Sequence, residues 1–356
     1  MRSSPPTRRD LLAAIAAGAL AARLPAAPRA MARPVVSIVK IRHGDIDSAV
    51  EQAIDLLGGM RALTRCKQRI LLKPNLVSPQ PRATTKPQVV RTLARLMQAA
   101  GKDVSIAEGS AAAPPFNVQG AEVFRTTKKD LLDGLQRDVF ERLGYTDLAR
   151  SLRLPLINLH TGDLVDVCLP GAFVFDTLTF HRSLVETDLL CSVPMMKTHA
   201  LAGVTLGMKN LVGTLPGTIY QSVRGRMHDA AARVEPSGTA AAIVDIVRAN
   251  KLGLVVIDAS TAMEGNGPSD GTLLPMETIV AGANPLATDM VAAALMGFDV
   301  AEIPTFTWAR KAGLRPERLD EIEIRGASVV SATRKFARAQ IVPWAVARGA
   351  WATREI

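Results

Sequence analysis

The chain has 356 residues, 48% of them apolar and only 4% aromatic, with a formal net charge of +10. That length and composition exclude a mainly disordered protein and require a core packed chiefly by Ala, Val and Leu. Five arginines and one aspartate lie within residues 1–32, so the remainder carries only +6, with no arginine run or basic–aromatic interleaving of the kind that binds nucleic acid.

Residues 1–32 read as a targeting segment. Thr7-Arg8-Arg9-Asp10-Leu11-Leu12 is a twin-arginine pattern before an apolar run, Leu11 to Ala22, that is too short to span a bilayer. Ala30-Met31-Ala32 fits an A-x-A cleavage site. The expectation is export to the periplasm through the twin-arginine translocase, cleavage after Ala32, and no integral membrane span thereafter.

In the remaining chain, Val35–Ile41 reads as a strand and Asp47 as the cap of a helix. Arg69–Asn75 reads as a buried strand ending in Lys73-Pro74-Asn75, and Pro87 opens the next helix. Asp103–Ala107 is a further strand, ending in Glu108-Gly109-Ser110. This strand–helix–strand alternation predicts an α/β fold on a mostly parallel sheet flanked by helices. Residues 111–127 form a long connection, followed by a helix over 128–143 and a strand near 156–159. Residues 163–182 look like a hairpin, read as an antiparallel addition. Two lobes are expected, with a boundary near 150–185.

Leu184–Val193 resumes the sheet. After it, Pro194-Met-Met-Lys-Thr-His-Ala200 and Gly203–Gly213 are too rich in Gly and polar groups to form one ordinary packed element. Residues 214–235 read as a glycine- and arginine-rich lid, 237–250 as a helix, and Leu252–Asp258 as a buried strand followed by a constrained loop, Glu264-Gly-Asn-Gly-Pro268. A strand over 277–280, a helix over 285–297 and a strand over 321–324 complete a domain spanning 33–335. Residues 336–356 form a basic and apolar tail, read as helical and docked.

Several polar clusters fall at the carboxyl ends of apolar strands, where open parallel sheets build their sites. Lys73, Lys197 and His199 are the candidate catalytic residues, with His199 as general acid or base. Asn75, Glu108, Ser110, Thr198, Lys209, Asn210 and His228 are candidates for substrate binding. Asp258, Glu264 and Asp289 are candidate ligands of a divalent cation, although a helix-surface position would explain Asp289 as well. Lysines of this kind neutralise a carboxylate or phosphate, so a small anionic ligand is the expected partner. No H-E-x-x-H, G-x-S-x-G, Walker A or full G-x-G-x-x-G motif is present. Cys66, Cys168 and Cys191 lack C-x-x-C spacing, which argues against a disulfide framework and against a zinc or iron–sulfur motif.

Lys73-Pro-Asn75, Glu108-Gly-Ser110, Lys197-Thr-His199, Gly207-Met-Lys-Asn-Leu-Val-Gly213, His228 and Ile257-Asp258 through Glu264-Gly-Asn-Gly-Pro268 together resemble the pattern of the uncharacterised DUF362 family, in order over about 35–315. The family has no assigned function. Many of its relatives carry a ferredoxin-like cysteine cluster, which this chain lacks, so an iron–sulfur cofactor is not expected here. The leading reading is an exported enzyme for a small anionic substrate (isomerase, lyase or hydrolase), with metal assistance left open. The alternatives are a periplasmic binding or sensing protein for an anion, and, by analogy with iron–sulfur relatives, a redox accessory protein.

Overall fold

Alternate residues of the central strands face two different cores, because side chains of a strand point to opposite faces in turn. In β2 (Arg69–Pro74), Ile70 and Leu72 join one apolar cluster and Leu71 the other. In β12 (Leu252–Glu264), Leu254 and Val256 join one while Val255 and Ile257 join the other. A sheet buried on both faces needs such unbroken apolar runs, and helices cover each side. Helices Ile46–Asp55, Pro87–Ala99 and Lys129–Arg142 pack one face; Gly238–Ala249 and Pro285–Leu295 pack the other.

The computed structural model describes residues 33–120, 122–340 and 354–356. The targeting segment 1–32 and most of the tail therefore lie outside the described residues. Residues 34–356 form one compact unit around an eleven-stranded sheet. Its main path runs β15 (Glu323–Gly326), β1 (Val35–Lys40), β14 (Thr278–Gly282), β12, β9 (Leu189–Val193), β2, β3 (Asp103–Glu108) and β6 (Leu156–Asn158). From β12 to β6 every pairing is parallel. The β14 strand is antiparallel to both β1 and β12. The far half of β12 also pairs in parallel with β10 (Met195–His199) and antiparallel with β13 (Thr272–Leu274), and β10 in turn pairs with β11 (Gly203–Thr205). No described helix is long and apolar enough to cross a membrane.

Several local expectations need correction. Residues 194–213 do not form one element but divide among β10, β11 and two short helical turns, and β10, not expected from sequence as a strand, is buried throughout because it extends the sheet beyond β9 alongside β12. The β12 strand runs on to Glu264, so that residue ends a strand and does not sit on a loop. The hairpin of β7 (Leu164–Cys168) and β8 (Thr177–His181) forms its own two-stranded sheet, while the antiparallel members of the main sheet are β11, β13 and β14. Residues 111–127 hold a small ladder of β4 (Val118–Gln119) and β5 (Glu122–Val123). The expected lid over 214–235 is built of short helices, Gly217–Tyr220 and Gly225–Ala231, with Met227 and Arg224 buried. Of the tail expected to be helical, residues 336–340 carry no helix, and 341–353 lie outside the described residues.

Candidate functional site

The carboxyl ends of β2, β3 and β10 meet the helix Gly207–Asn210, and a cavity of about 390 Å³ opens between them. Lys73, Asn75, Glu108, Lys197, His199, Lys209, Asn210 and His228 all line it. The parallel register brings these ends together: Lys73 stands opposite Ser192 of β9, and β3 is aligned with β2 so that Glu108 projects beside it.

Lys73 and Glu108 form a buried ion pair with Nζ to Oε1 at 2.7 Å. The Lys73 ammonium also donates to Pro74 O at 3.1 Å and to Asn210 Oδ1 at 3.3 Å. Three acceptors match the three N–H bonds of an ammonium. Burial pulls the Lys73 pKa down, and the Glu108 carboxylate opposes that pull. Glu108 in turn accepts the backbone N–H of Gly109 and of Leu76, both at 2.8 Å. Asn210 donates through Nδ2 to Lys73 O and Ser192 Oγ, which ties the two strand ends. Gly213 passes so close that an added Cβ would crowd Glu108 Oε1 and Lys73 Nζ, so a side chain here would displace the ion pair.

The other two lysines stand in different surroundings. Lys197 is fully buried and donates to Ala83 O at 2.6 Å and Pro268 O at 3.0 Å. Burial, and then the Lys209 charge, push its pKa down to about 7. The Lys209 ammonium makes no hydrogen bond or ion pair with the described residues; burial and the nearby Lys73 and Arg224 push its pKa down to about 8. His199 Nδ1 accepts the N–H of Leu201 at 3.1 Å and of Ala202 at 3.3 Å. Backbone amides can only donate, so the neutral ring carries its proton on Nε2. Burial, followed by Lys209, holds the His199 pKa well below the usual histidine range. Burial and Lys209 likewise bring His228 down to about 3.

Sequence reasoning missed Arg224. It is buried, adopts a left-handed backbone, and also lines the cavity. Its guanidinium donates to the carbonyls of Ser110, Ser222, Gly109 and Gly213 but meets no carboxylate. Burial lowers its pKa to about 10. The only signal available was the arginine content of residues 214–235. Ser78 and Thr205 were missed as well, since an isolated hydroxyl has no distinctive pattern. Four residues of the lining each have a buried polar atom without a partner among the described residues: Arg224 Nε, Ser78 Oγ, Thr205 Oγ1 and Asn75 Oδ1. Buried polar atoms are normally satisfied, so these four stand out.

The remaining candidates fall outside the cavity lining. Ser110 accepts Arg224 through its carbonyl and donates its N–H to Gln136. Thr198 Oγ1 donates to Gly265 O at 2.8 Å, fixing the loop that carries Pro268. The three carboxylates grouped as cation ligands do not fit a divalent metal, and among the described residues no cluster of three His, Cys, Asp or Glu could hold one. Asp258 accepts the N–H of Lys86 and both donors of Ser260. Glu264 lies six residues farther along the same strand, roughly 20 Å away at about 3.3 Å per residue, and accepts Ala337 N–H at 2.8 Å. Asp289 is buried, not on a helix surface, and accepts the N–H of Gly207 and Met208, both at 2.8 Å. It thereby anchors the segment that carries Lys209 and Asn210, and burial raises its pKa to about 7.

A thylakoid-associated protein of Synechocystis sp. is 27% identical to this chain over 276 residues, 77% of each protein. Among solved structures, the lactate racemase apoprotein of Thermoanaerobacterium thermosaccharolyticum aligns with a TM-score of 0.42 and 13% identity over 76% of this chain and 59% of that one. A Thermotoga maritima protein aligns with a TM-score of 0.37 and 15% identity over 65% of this chain and 53% of that one. The chain thus spans a little over half the length of these two structures, and both likenesses are too distant to carry chemistry across. The family described as a domain of unknown function, DUF362, matches residues 70–294, most of the sheet and every residue of the cavity, and the chain belongs to that family.

Proposed function

We propose that the protein is an enzyme that binds a small anionic substrate in the cationic cavity and moves a proton on it, the chemistry shared by isomerases and lyases. The observation that carries this reading is the charge imbalance. Lys73, Lys197, Lys209 and Arg224 line the cavity against two carboxylates, buried Glu108 and exposed Asp270. Burying like charges together is costly unless a counter-charge arrives. The lowered pKa values of Lys197 and Lys209 express that cost.

The three lysines divide the work by their acceptors. Lys73, saturated by three acceptors, is a fixed charge. Lys209, with none, is the donor that clamps the anion. Lys197 donates to two carbonyls; as a neutral amine it satisfies both with its two N–H bonds and keeps a lone pair for a proton. A pKa of about 7 suits such exchange near neutrality. His199 presents Nε2–H as a neutral donor toward charge developing on a substrate oxygen, a role distinct from the general acid or base expected from sequence.

The reaction is tested by deuterium exchange. Purified protein in D2O with a panel of small carboxylates, followed by proton NMR, should exchange a C–H next to the carboxylate or a carbonyl. Lys197→Met should stop the exchange while the anion still binds. Binding without exchange in the wild type would overturn the enzyme reading in favour of an anion-binding protein. We further propose export by the twin-arginine route, on the strength of Arg8-Arg9 and Ala30-Met31-Ala32.

A further inference from the structure

The cavity also has an apolar wall that inorganic anion binding does not require. Val77, Ala111, Ala112, Val123 and Val223 line it. They come from three separate segments, and the structure holds those segments together deliberately. Ala111 and Ala112 both donate their N–H to Val77 O, at 2.9 and 3.2 Å. Ser222 donates its N–H to Thr126 O at 2.9 Å and its hydroxyl to Phe124 O at 3.2 Å, bringing Val223 beside Val123. Asn117 joins the two halves. It is fully buried, and its Nδ2 lies 3.0 Å from Ala111 O, 3.2 Å from Phe124 O and 3.0 Å from Ser222 Oγ, while its Oδ1 accepts Ala113 N–H at 3.0 Å.

The geometry points to an organic anion with an apolar body as the ligand: its charged head on Lys209 and His199, its hydrocarbon part against the wall of Val77, Ala112 and Val223. This inference rests on the anion-site reading above and adds the substrate class to it. A volume of about 390 Å³ lies within the roughly 300–1,000 Å³ usual for small-molecule pockets. Among the described residues, the lining side chains with an unpartnered buried polar atom are Arg224, Thr205, Ser78 and Asn75. A second polar group on the ligand therefore has few places to bind.

The test titrates acetate, butyrate, hexanoate and phenylacetate into the full chain by calorimetry at fixed pH and salt. Burying each added methylene against the wall should tighten binding by roughly fourfold. Ala112→Phe, at a half-buried position, fills the wall and should erase most of the gain with chain length. Val77→Thr keeps the side-chain shape and so should fold, but it makes the wall polar, and it should reduce the gain per methylene. Equal affinity for acetate and hexanoate in the wild type would overturn the apolar-body inference and leave the anion site standing. Failure of all four acids to bind would overturn the anion site itself, and the inference with it.

Discussion

Lys73, Lys197 and Lys209 carry the same side chain, but they differ in how many acceptors surround the nitrogen, and that difference sets what each can do. For Lys73 the partner is a buried carboxylate. Removing one member of a buried pair leaves an uncompensated charge, at a cost of about 3–5 kcal/mol, whereas removing both together costs much less. Lys73→Met should therefore lower the urea midpoint sharply, and Lys73→Met with Glu108→Gln should recover a large part of the loss; additive losses would show that the two act independently. Lys197 makes a pH prediction. Its folded pKa of about 7 lies below the unfolded value of 10.5, so between those values the unfolded chain binds the extra proton. Stability then rises with pH across that window and is lost as pH falls through about 7. Lys209, at about 8, acts in the same direction. Urea midpoints from pH 7 to 10 should climb in the wild type and climb less in Lys197→Met. A bound anion favours the charged lysines, so binding near pH 8 should take up protons, readable as a buffer-dependent calorimetric enthalpy.

At the scale of elements, the site is made by close approach. The turn after the helix Gly207–Asn210 brings Gly213 against the Lys73–Glu108 pair. Gly213→Ala should cost about 1–3 kcal/mol, as overpacking does, and should weaken anion binding, because the displaced groups are the pair itself; a melting point and affinity unchanged from wild type would refute this account. Asp289 and Glu264 illustrate why acidic residues are hard to read from sequence. Each looked like a metal ligand, and each instead accepts backbone amides. Asp289 holds Gly207 and Met208. Glu264 holds the tail at Ala337, while Gly265 N–H donates to Ala337 O at 3.0 Å. Through Thr198 and Gly265, that tail braces the loop whose Pro268 carbonyl accepts Lys197.

For the whole molecule, the export proposal is open to direct test. Arg8→Lys with Arg9→Lys should leave unprocessed precursor in the cytoplasm; normal processing of the double variant would remove the twin-arginine claim. The α/β class, the parallel run from β2 to β6 and the placing of Lys73 and Glu108 at strand ends were legible in the chain, because apolar runs ending in polar turns are local patterns. The same patterns led to the family resemblance. Local pattern did not reveal that β1 would lie beside β14 and β15, far from β2, since strand order depends on contacts between segments hundreds of residues apart. Nor did it reveal Arg224, whose carbonyl partners come from three separate stretches. Sequence alone determined which residues could carry charge and that β2 and β3 would end near Lys73 and Glu108. Which lysine is saturated, which is free and which can exchange a proton was decided by tertiary structure, because the pKa of a buried amine depends on the acceptors and charges that folding places around it.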